Sequence, residues 1–236
     1  MNTNNLDISR IEIEERERTF MLKVYNWMGI ALLITAFVAY FVSQSTDFVY
    51  TLASNSFLFY GLIIAELGLV IYLSARIKKM SASTATLAFI IYSVLNGLTF
   101  SVILLAYTGA SISSAFFTTS GMFAFMSAYG YFTKKDLTAW GSFFMMGLFG
   151  IIIASVINIF LGSSTVYWLV TYLGVFIFVG LTAYDTQKIK KMGSIIITDN
   201  GSSEIEQKGA IMGALTLYLD FINLFLMLLR IFGKND

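Results

Sequence analysis

The sequence contains no cysteine, no histidine and no proline, and only 12% of its 236 residues are charged. Without cysteine the chain has no disulfide, no thiolate metal site and no cysteine nucleophile. Without histidine it lacks the commonest general base, the commonest metal ligand and every Ser/His or Cys/His catalytic pair. Without proline, any break in a membrane helix must come from Gly, Ser or Thr. These absences exclude or weaken most classes of enzyme, and we predict no cofactor and no metal site.

Apolar residues, by contrast, make up 57% of the chain. This composition is typical of a polytopic membrane protein and leaves no sizeable aqueous domain. The net charge of +1 gives no footprint for nucleic acid, since the basic residues occur in twos and threes at segment ends. We therefore expect membrane lipid as the surrounding partner and no nucleic-acid partner.

Seven hydrophobic segments are each long enough to span the bilayer as a helix. They cover residues 24–42, 57–75, 84–107, 112–132, 139–161, 166–184 and 210–232. The predicted fold is all-α, with a single seven-helix transmembrane domain over residues 24–233, a cytoplasmic tail over 1–23 and a short C-terminal tail over 234–236. In the N-terminal tail, Ser9 and Glu12 have the spacing of a capping box, which indicates a short helix in solvent.

The connections between these segments differ in length. The links at residues 108–111 and 162–165 are very short and predict antiparallel helix hairpins. The longest predicted connection, residues 186–209, is also the most polar. Gly209 and Gly213 open the last segment with a spacing that permits close helix packing in lipid.

Lysine and arginine are confined to alternate connections. They occur in the N-terminal tail and in the second-to-third, fourth-to-fifth and sixth-to-seventh connections, whereas the other connections hold none. The positive-inside rule therefore predicts a cytoplasmic N-terminus and, with seven spans, a C-terminus outside. Arg230 and Lys234 would then lie outside, against the rule, so six spans with a re-entrant last segment stay open.

The last hydrophobic segment carries a carboxylate, Asp220, near its middle. A charge at that depth costs roughly 2.5 to 3.5 kcal/mol on insertion scales and usually faces a protein interior or a water-filled cavity. The segment is therefore predicted to lie inside the bundle. Asp220 is interpreted either as part of an ion or proton path or as a structural group that hydrogen-bonds neighbouring helices.

Few other polar groups are expected inside the membrane. Glu66 lies in the second segment, Asp185 lies at the inner end of the sixth, and Arg230 is interpreted as a snorkelling residue. The buried amides are expected to form hydrogen bonds between helices, and together with Glu66 they are candidates for an ion path. These amides are Asn96, Asn158 and Asn223.

Two polar motifs in apolar surroundings carry a resemblance to a known family. They are VGLTAYDTQKIK at residues 179–190 and LTLYLDFINLF at residues 215–225, and the ending LLRIFG follows at 228–233. Over its whole length the chain resembles the Bax inhibitor-1 family, also called transmembrane BAX inhibitor motif proteins, and most of all the bacterial branch. The resemblance implies a seven-helix bundle in a bacterial plasma (inner) membrane, with the last helix enclosed by the other six. It also implies a proton-sensitive leak of cations, calcium especially.

The same resemblance implies roles for individual residues. In that family an aspartate after a sixth-span tyrosine pairs with a seventh-span aspartate as a pH sensor, which corresponds to Asp185 and Asp220. Two carboxylates in a low-dielectric site cannot easily both ionise, so one shared proton can bias a bundle between closed and open states. Glu66 matches a second-span acid of bacterial relatives, and Arg76 lies about one position from a basic residue that would latch the aspartates. Asp185 and Asp220 lie at different depths in their segments unless the sixth helix extends to about Lys191, and we predict that it does.

Other functions stay open on the sequence. Intramembrane aspartyl proteases also use two aspartates, but Tyr218 and Leu219 precede Asp220 where those enzymes need Gly-x-Gly-Asp, so we expect no enzyme. A regulatory protein is the stronger alternative, with residues 1–19 as the handle for a membrane-anchored AAA protease. A transporter with alternating access is less favoured, because no proline-broken helix and no internal repeat is visible.

Overall fold

The computed structural model describes residues 3–199 and 201–233, with side chains for residues 12–199 and 201–233. Across this part of the chain the backbone forms eight α-helices and no strand. The helices are α1 (Thr3–Ser43), α2 (Thr46–Ser54), α3 (Ser56–Arg76), α4 (Ala82–Ala106), α5 (Gly109–Phe132), α6 (Thr138–Leu161), α7 (Ser164–Thr198) and α8 (Ser203–Phe232). The predicted all-α class is confirmed.

The helices are divided between two compact units. The first unit comprises the described residues up to Ala106 together with Ile189–Leu215. The second comprises Tyr107–Lys188 together with the described residues from Thr216 onward. Helices α7 and α8 therefore each contribute residues to both units, whereas the other helices belong to one unit only.

Six of the described helices are long and apolar enough to cross a membrane, namely α1, α3, α4, α6, α7 and α8. They correspond to six of the seven predicted segments. The remaining predicted segment is helical as α5 but is not among the six, because Ser, Thr and Gly interrupt its apolar residues. The unpredicted helix α2 follows α1 after a short turn and buries Val49 and Leu52.

Helix α1 is longer than the sequence predicted. It runs without a break from Thr3 to Ser43, so Ser9 lies inside the helix and the predicted capping box at Ser9 and Glu12 is wrong. Glu and Arg residues four apart support a helix in the polar part, and Phe20 is already fully buried there. The helix has 41 residues and rises about 60 Å, so it extends well beyond a hydrocarbon core of about 30 Å.

Helices α7 and α8 also extend further than their apolar segments. Helix α7 ends at Thr198 and α8 begins at Ser203, so the long connection predicted at residues 186–209 is wrong. The hypothesis that the sixth transmembrane helix continues to about Lys191 is confirmed, and the helix passes that point. Ile189 and Ile197 are buried on this extension, which explains why the chain stays helical beyond the lysines.

Helices α6 and α7 form the antiparallel hairpin that the short link predicted. Gly162 adopts a left-handed conformation with φ of 59° and ends α6, as glycine commonly does at this position. Further along the pair, Gly141 lies against the ring of Tyr184 and Gly147 lies against Ile177. The first half of α6 thus packs on the middle of α7.

The glycines predicted to allow close packing do so in the first unit. Both lie within α8, because the helix begins at Ser203, and not at its start as predicted. A Cβ added to Gly209 would stand 2.8 Å from Cδ1 of Ile196, and one added to Gly213 would stand 2.9 Å from Cγ2 of Ile189. Both isoleucines belong to α7, so the two helices approach closely and run antiparallel.

In the second unit, Gly130 of α5 lies against the backbone of α7, where a Cβ would collide with the carbonyl oxygen of Ala183. A backbone oxygen cannot rotate away as a side chain does, so we expect Gly130→Ala to lower the free energy of unfolding by about 1–3 kcal/mol. Gly121→Ala is the matched control, since the same helix leaves nothing within 4 Å of a Cβ there. Thermal unfolding of both variants in detergent checks this, and equal melting temperatures would contradict the close contact.

Candidate functional site

The two aspartates of the predicted sensor both lie in the second unit, on neighbouring helices. Asp185 on α7 is 7% exposed and Asp220 on α8 is 4% exposed. Gly174 of α7 packs against Met227 of α8, which together with the helix directions gives an antiparallel pair. The negative charge of Asp185 acts on Asp220, so the fold brings the two carboxyl groups into one electrostatic site.

One oxygen of Asp220 is unsatisfied. Its Oδ2 atom is buried and has no hydrogen-bond partner in the part of the chain that the structure describes. Leu217 and Tyr218 before it and Leu224 after it are fully buried as well. Unpartnered buried polar atoms are rare because burial without a hydrogen bond costs free energy. Oδ2 therefore does not fit the interpretation of Asp220 as a carboxylate that hydrogen-bonds neighbouring helices.

Asp185 differs from Asp220 in having a nearby cation. Lys188 follows one turn later on α7, and its positive charge acts on Asp185. The Lys188 Nζ atom also lies 5.7 Å from the centroid of the Tyr184 ring, which holds the ammonium group beside the helix. The two carboxylates are thus unequal, since a lysine charge acts on one of them while the other is enclosed by apolar residues.

Buried hydroxyl groups occur in the same unit and were missed by the sequence analysis. The Ser127 and Thr186 hydroxyl oxygens lie 3.1 Å apart and join α5 to α7. Thr182 donates to the carbonyl of Phe178, and like Thr186 it is fully buried. The signal for these residues is the pair of threonines four apart that brackets Asp185 in an otherwise apolar helix.

Gln187 was also missed, although it lies within the recognised motif. It is buried, its Oε1 accepts the N–H of Leu137 at 2.9 Å, and its Nε2 donates to the carbonyl of Lys135 at 2.8 Å. These two bonds fasten α7, two residues after Asp185, to the connection between α5 and α6. Gln187 therefore acts as a positioning residue for this part of α7.

Glu66 and Asn96 lie in the first unit and belong to a separate polar group. Glu66 accepts a hydrogen bond from the Thr99 hydroxyl at 2.5 Å, between α3 and α4. Asn96 is buried on α4 and donates to the carbonyl of Tyr92 at 3.1 Å. Arg76 ends α3 in the same unit, and among the described residues no carboxylate forms an ion pair with it. Its latch role stays a prediction.

We expected the side-chain amides of the three asparagines to form hydrogen bonds between helices. This expectation is wrong for the bonds that the structure shows, because each of them lies within one helix or in the turn that follows it. Asn223 donates to the carbonyl of Leu219 at 2.8 Å, and Asn96 likewise bonds to the residue four positions earlier. The Oδ1 atom of Asn158 accepts the N–H of Ser163 at 3.0 Å in the turn after α6. An amide can satisfy itself on its own helix, which removes the need for a partner across a helix interface.

Sequence comparison adds the family. The sequence profile described as "Inhibitor of apoptosis-promoting Bax1" matches residues 17–236. The chain belongs to the Bax inhibitor-1 family. It is 55% identical over 218 residues to the inner membrane protein YbhL of Escherichia coli (strain K12), a match that covers 92% of each chain. A protein of Borreliella burgdorferi is 47% identical over 219 residues, covering 92% of this chain and 93% of that one. A membrane protein of Streptococcus pyogenes serotype M1 is 36% identical over 219 residues, covering 92% of this chain and 93% of that one.

These relatives agree with the fold. Six helices that can cross a membrane and a close relative in an inner membrane make this Bax inhibitor-1 family member a multi-span membrane protein. The resemblance inferred from the two motifs at residues 179–190 and 215–225 is therefore confirmed.

The bonds of Gln187 give a test of the site's scaffold. We expect Gln187→Ala to lower the free energy of unfolding by about 1–3 kcal/mol, because it leaves a buried N–H and a carbonyl without partners. Gln187→Glu keeps the acceptor for Leu137 but sets a buried carboxylate oxygen against the carbonyl of Lys135, so it should destabilise as well. Gln207→Ala at an exposed position is the control. Limited proteolysis at residues 133–137 and thermal unfolding measure the effect, and unchanged cleavage in Gln187→Ala would contradict the fastening role.

Proposed function

We propose that this protein is a pH-sensitive leak channel for cations, calcium especially, whose opening depends on the protonation of Asp185 and Asp220. The observation that carries the proposal is the buried Asp220 carboxylate, with one oxygen unpartnered among the described residues. Ionisable residues within membrane helices are costly and usually mark an ion or proton path. The family resemblance in the two aspartate motifs supports the same role.

The chemistry of such a site follows from its charges. One proton bound by the pair leaves one negative charge and two protons leave none, whereas loss of all protons leaves two charges that repel each other at low dielectric. Movement of α7 against α8, or entry of a cation, relieves this repulsion. Carboxylate and hydroxyl oxygens are suitable ligands for a hard cation such as calcium. Asn158 and Asn223, which belong to the same unit as the two aspartates, are proposed to line the path, whereas roles of Glu66 and Asn96 in a path and of Arg76 as a latch stay predictions.

The membrane arrangement is part of this proposal. We place α5 as a seventh span, because its 24 residues rise about 36 Å and so cover the hydrocarbon core. We place α8 at the centre, since 67% of the residues in its most apolar stretch are buried. The corresponding share is 6% for α3 and 11% for α6. The alternation of basic connections supports a cytoplasmic N-terminus and an outer C-terminus, and the Escherichia coli relative supports a bacterial inner membrane.

We also propose that the protein is not an enzyme. The chain has no histidine and no cysteine to act beside the aspartates. Tyr218 and Leu219 precede Asp220, which differs from the motif that intramembrane aspartyl proteases require. A leak needs none of these groups, because it depends on charge and oxygen ligands alone.

The leak is tested in liposomes that hold a calcium dye. We expect calcium influx through the purified wild-type protein to change from acid to alkaline pH, and we expect the Asp185→Asn/Asp220→Asn variant to lose this dependence. The amide keeps the size of the side chain but cannot ionise, so only the charge is removed. Asp47→Asn at an exposed position of α2 is the control and should keep the wild-type profile. Wild-type influx equal to that of empty liposomes at every pH would refute the channel.

One surface favours the alternative of a regulatory protein. A charged pocket of about 430 Å³ lies along the polar part of α1, and the ion pair between Lys23 and Glu206 forms part of its lining. The lining residues are Glu12, Glu15, Arg16, Thr19, Lys23 and Glu206. A membrane-anchored AAA protease that grips the N-terminal tail would approach this surface.

The alternative separates from the channel by deletion. Residues 1–19 can be removed without touching Phe20, which is fully buried. If the protein regulates a protease, we expect this deletion to abolish its effect on degradation of a membrane-protein substrate, measured by pulse-chase, while Asp220→Asn leaves the effect intact. The regulatory role would be excluded by the reverse pattern, in which the deletion leaves degradation of the substrate unchanged and Asp220→Asn alters it.

A further inference from the structure

The second unit contains a pocket at the end of α8, and of its lining residues only Asn158 has a role above, as a proposed lining residue of the ion path. Its volume is about 310 Å³, near the lower end for ligand pockets, which suits a small anion or a headgroup rather than a whole lipid. Arg230 enters it from the last turn of α8, Asn158 from the end of α6 and Tyr167 from the start of α7. Ser155, Ile159 and Val170 complete the lining.

The polar groups of this pocket favour a negative ligand. Arg230 forms no ion pair with a carboxylate of the described residues, and its guanidinium carbon lies 5.3 Å from the centroid of the Tyr167 ring. Stacking on an aromatic face leaves the N–H edge of the guanidinium free to donate. The oxygen of Asn158 already accepts from Ser163, so the NH2 group is the part of that amide that can bind a ligand.

Tyr107 lies near Tyr167 and Arg230, although it is not one of the residues that line the pocket. Burial raises the pKa of Tyr107, the neighbouring Tyr167 raises it further, and the charge of Arg230 lowers it, with a net increase. The pocket itself combines the fixed positive charge of Arg230 with the Asn158 amide and the Tyr167 hydroxyl group, a combination that suits a phosphate group.

Aromatic residues indicate the level of the pocket in the membrane. The rings of Tyr167 and Trp168 meet edge to face at 5.5 Å, and Trp168 stacks on Tyr172 at 5.8 Å. All three rings are exposed by 37% or more. Tyrosine and tryptophan concentrate at the membrane–water interface, at the depth of the lipid headgroups. A pocket beside these rings therefore faces lipid phosphates.

We infer that the pocket formed by Arg230, Tyr167 and Asn158 is a binding site for a phosphate group, supplied by the headgroup of an anionic phospholipid. Arginine suits this ligand because its planar fork donates two hydrogen bonds to two phosphate oxygens at once. The Asn158 amide is placed to reach a third oxygen. The test of this site is independent of the proposed leak, because binding is measured without ion flux.

The test uses full-length protein in detergent and counts retained lipid by native mass spectrometry. Phosphatidylglycerol is titrated against diacylglycerol, which has the same chains and no phosphate. In Arg230→Gln we expect phosphatidylglycerol to bind about tenfold or more weakly, because a charge-assisted hydrogen bond is lost. Arg230→Lys should fall between wild type and Arg230→Gln. Lys134→Gln, which removes an exposed charge of the same unit, should bind as wild type does.

A second variant keeps the test valid if Arg230→Gln unfolds. Asn158→Asp retains an oxygen to accept from Ser163, so the turn is kept, but its charge pairs with Arg230 and repels phosphate.

A further experiment adds inorganic phosphate or glycerophosphoglycerol and measures the shift in the melting temperature. A shift from these soluble anions that Asn158→Asp abolishes would support a phosphate site open to free anions, and binding of lipid alone would support the headgroup. Equal phosphatidylglycerol binding by wild type and Asn158→Asp would overturn the site.

Discussion

Polar side chains in an apolar helix must find their hydrogen-bond partners within the protein, and this chain satisfies most of them in one way. Thr35, Thr119, Thr182 and Asn223 each donate to the carbonyl four residues earlier on the same helix. A carboxylate cannot use this solution, because in its ionised form it only accepts. Asp220 therefore depends on a donor, a proton or a cation that its own helix does not supply.

The three acidic side chains of the apolar segments meet that requirement differently. Glu66 receives the hydroxyl of Thr99 from the next helix, and Asp185 lies within the field of Lys188 on its own helix. Oδ2 of Asp220 has no hydrogen-bond partner among the described residues, and the negative charge of Asp185 acts on this carboxyl group. A proton or a permeant cation is what balances such a pair, which is why protonation and cation passage are linked in the proposed function.

Much of this could be predicted from sequence, and the failures have physical causes. Hydropathy located the apolar segments and the buried position of Asp220, because the cost of a charge in lipid is large. Hydropathy did not locate the start of α1 at Thr3 or the end of α7 at Thr198. It indicates which residues lie in lipid, whereas a helix can continue into water as long as its residues favour helical structure. Gln187 and the local bonds of the amides were missed because they depend on which backbone group lies within reach.

The register of the helices is the other feature that sequence could not supply. Whether Asp185 and Asp220 meet depends on how far α7 slides along α8, and contacts such as Gly174 with Met227 decide this. The same helix α8 carries Asp220 and, ten residues later, Arg230, a separation of about 15 Å. If α8 has two positions that a ligand at Arg230 and a proton at Asp220 prefer unequally, each of them alters the affinity of the other by the same factor.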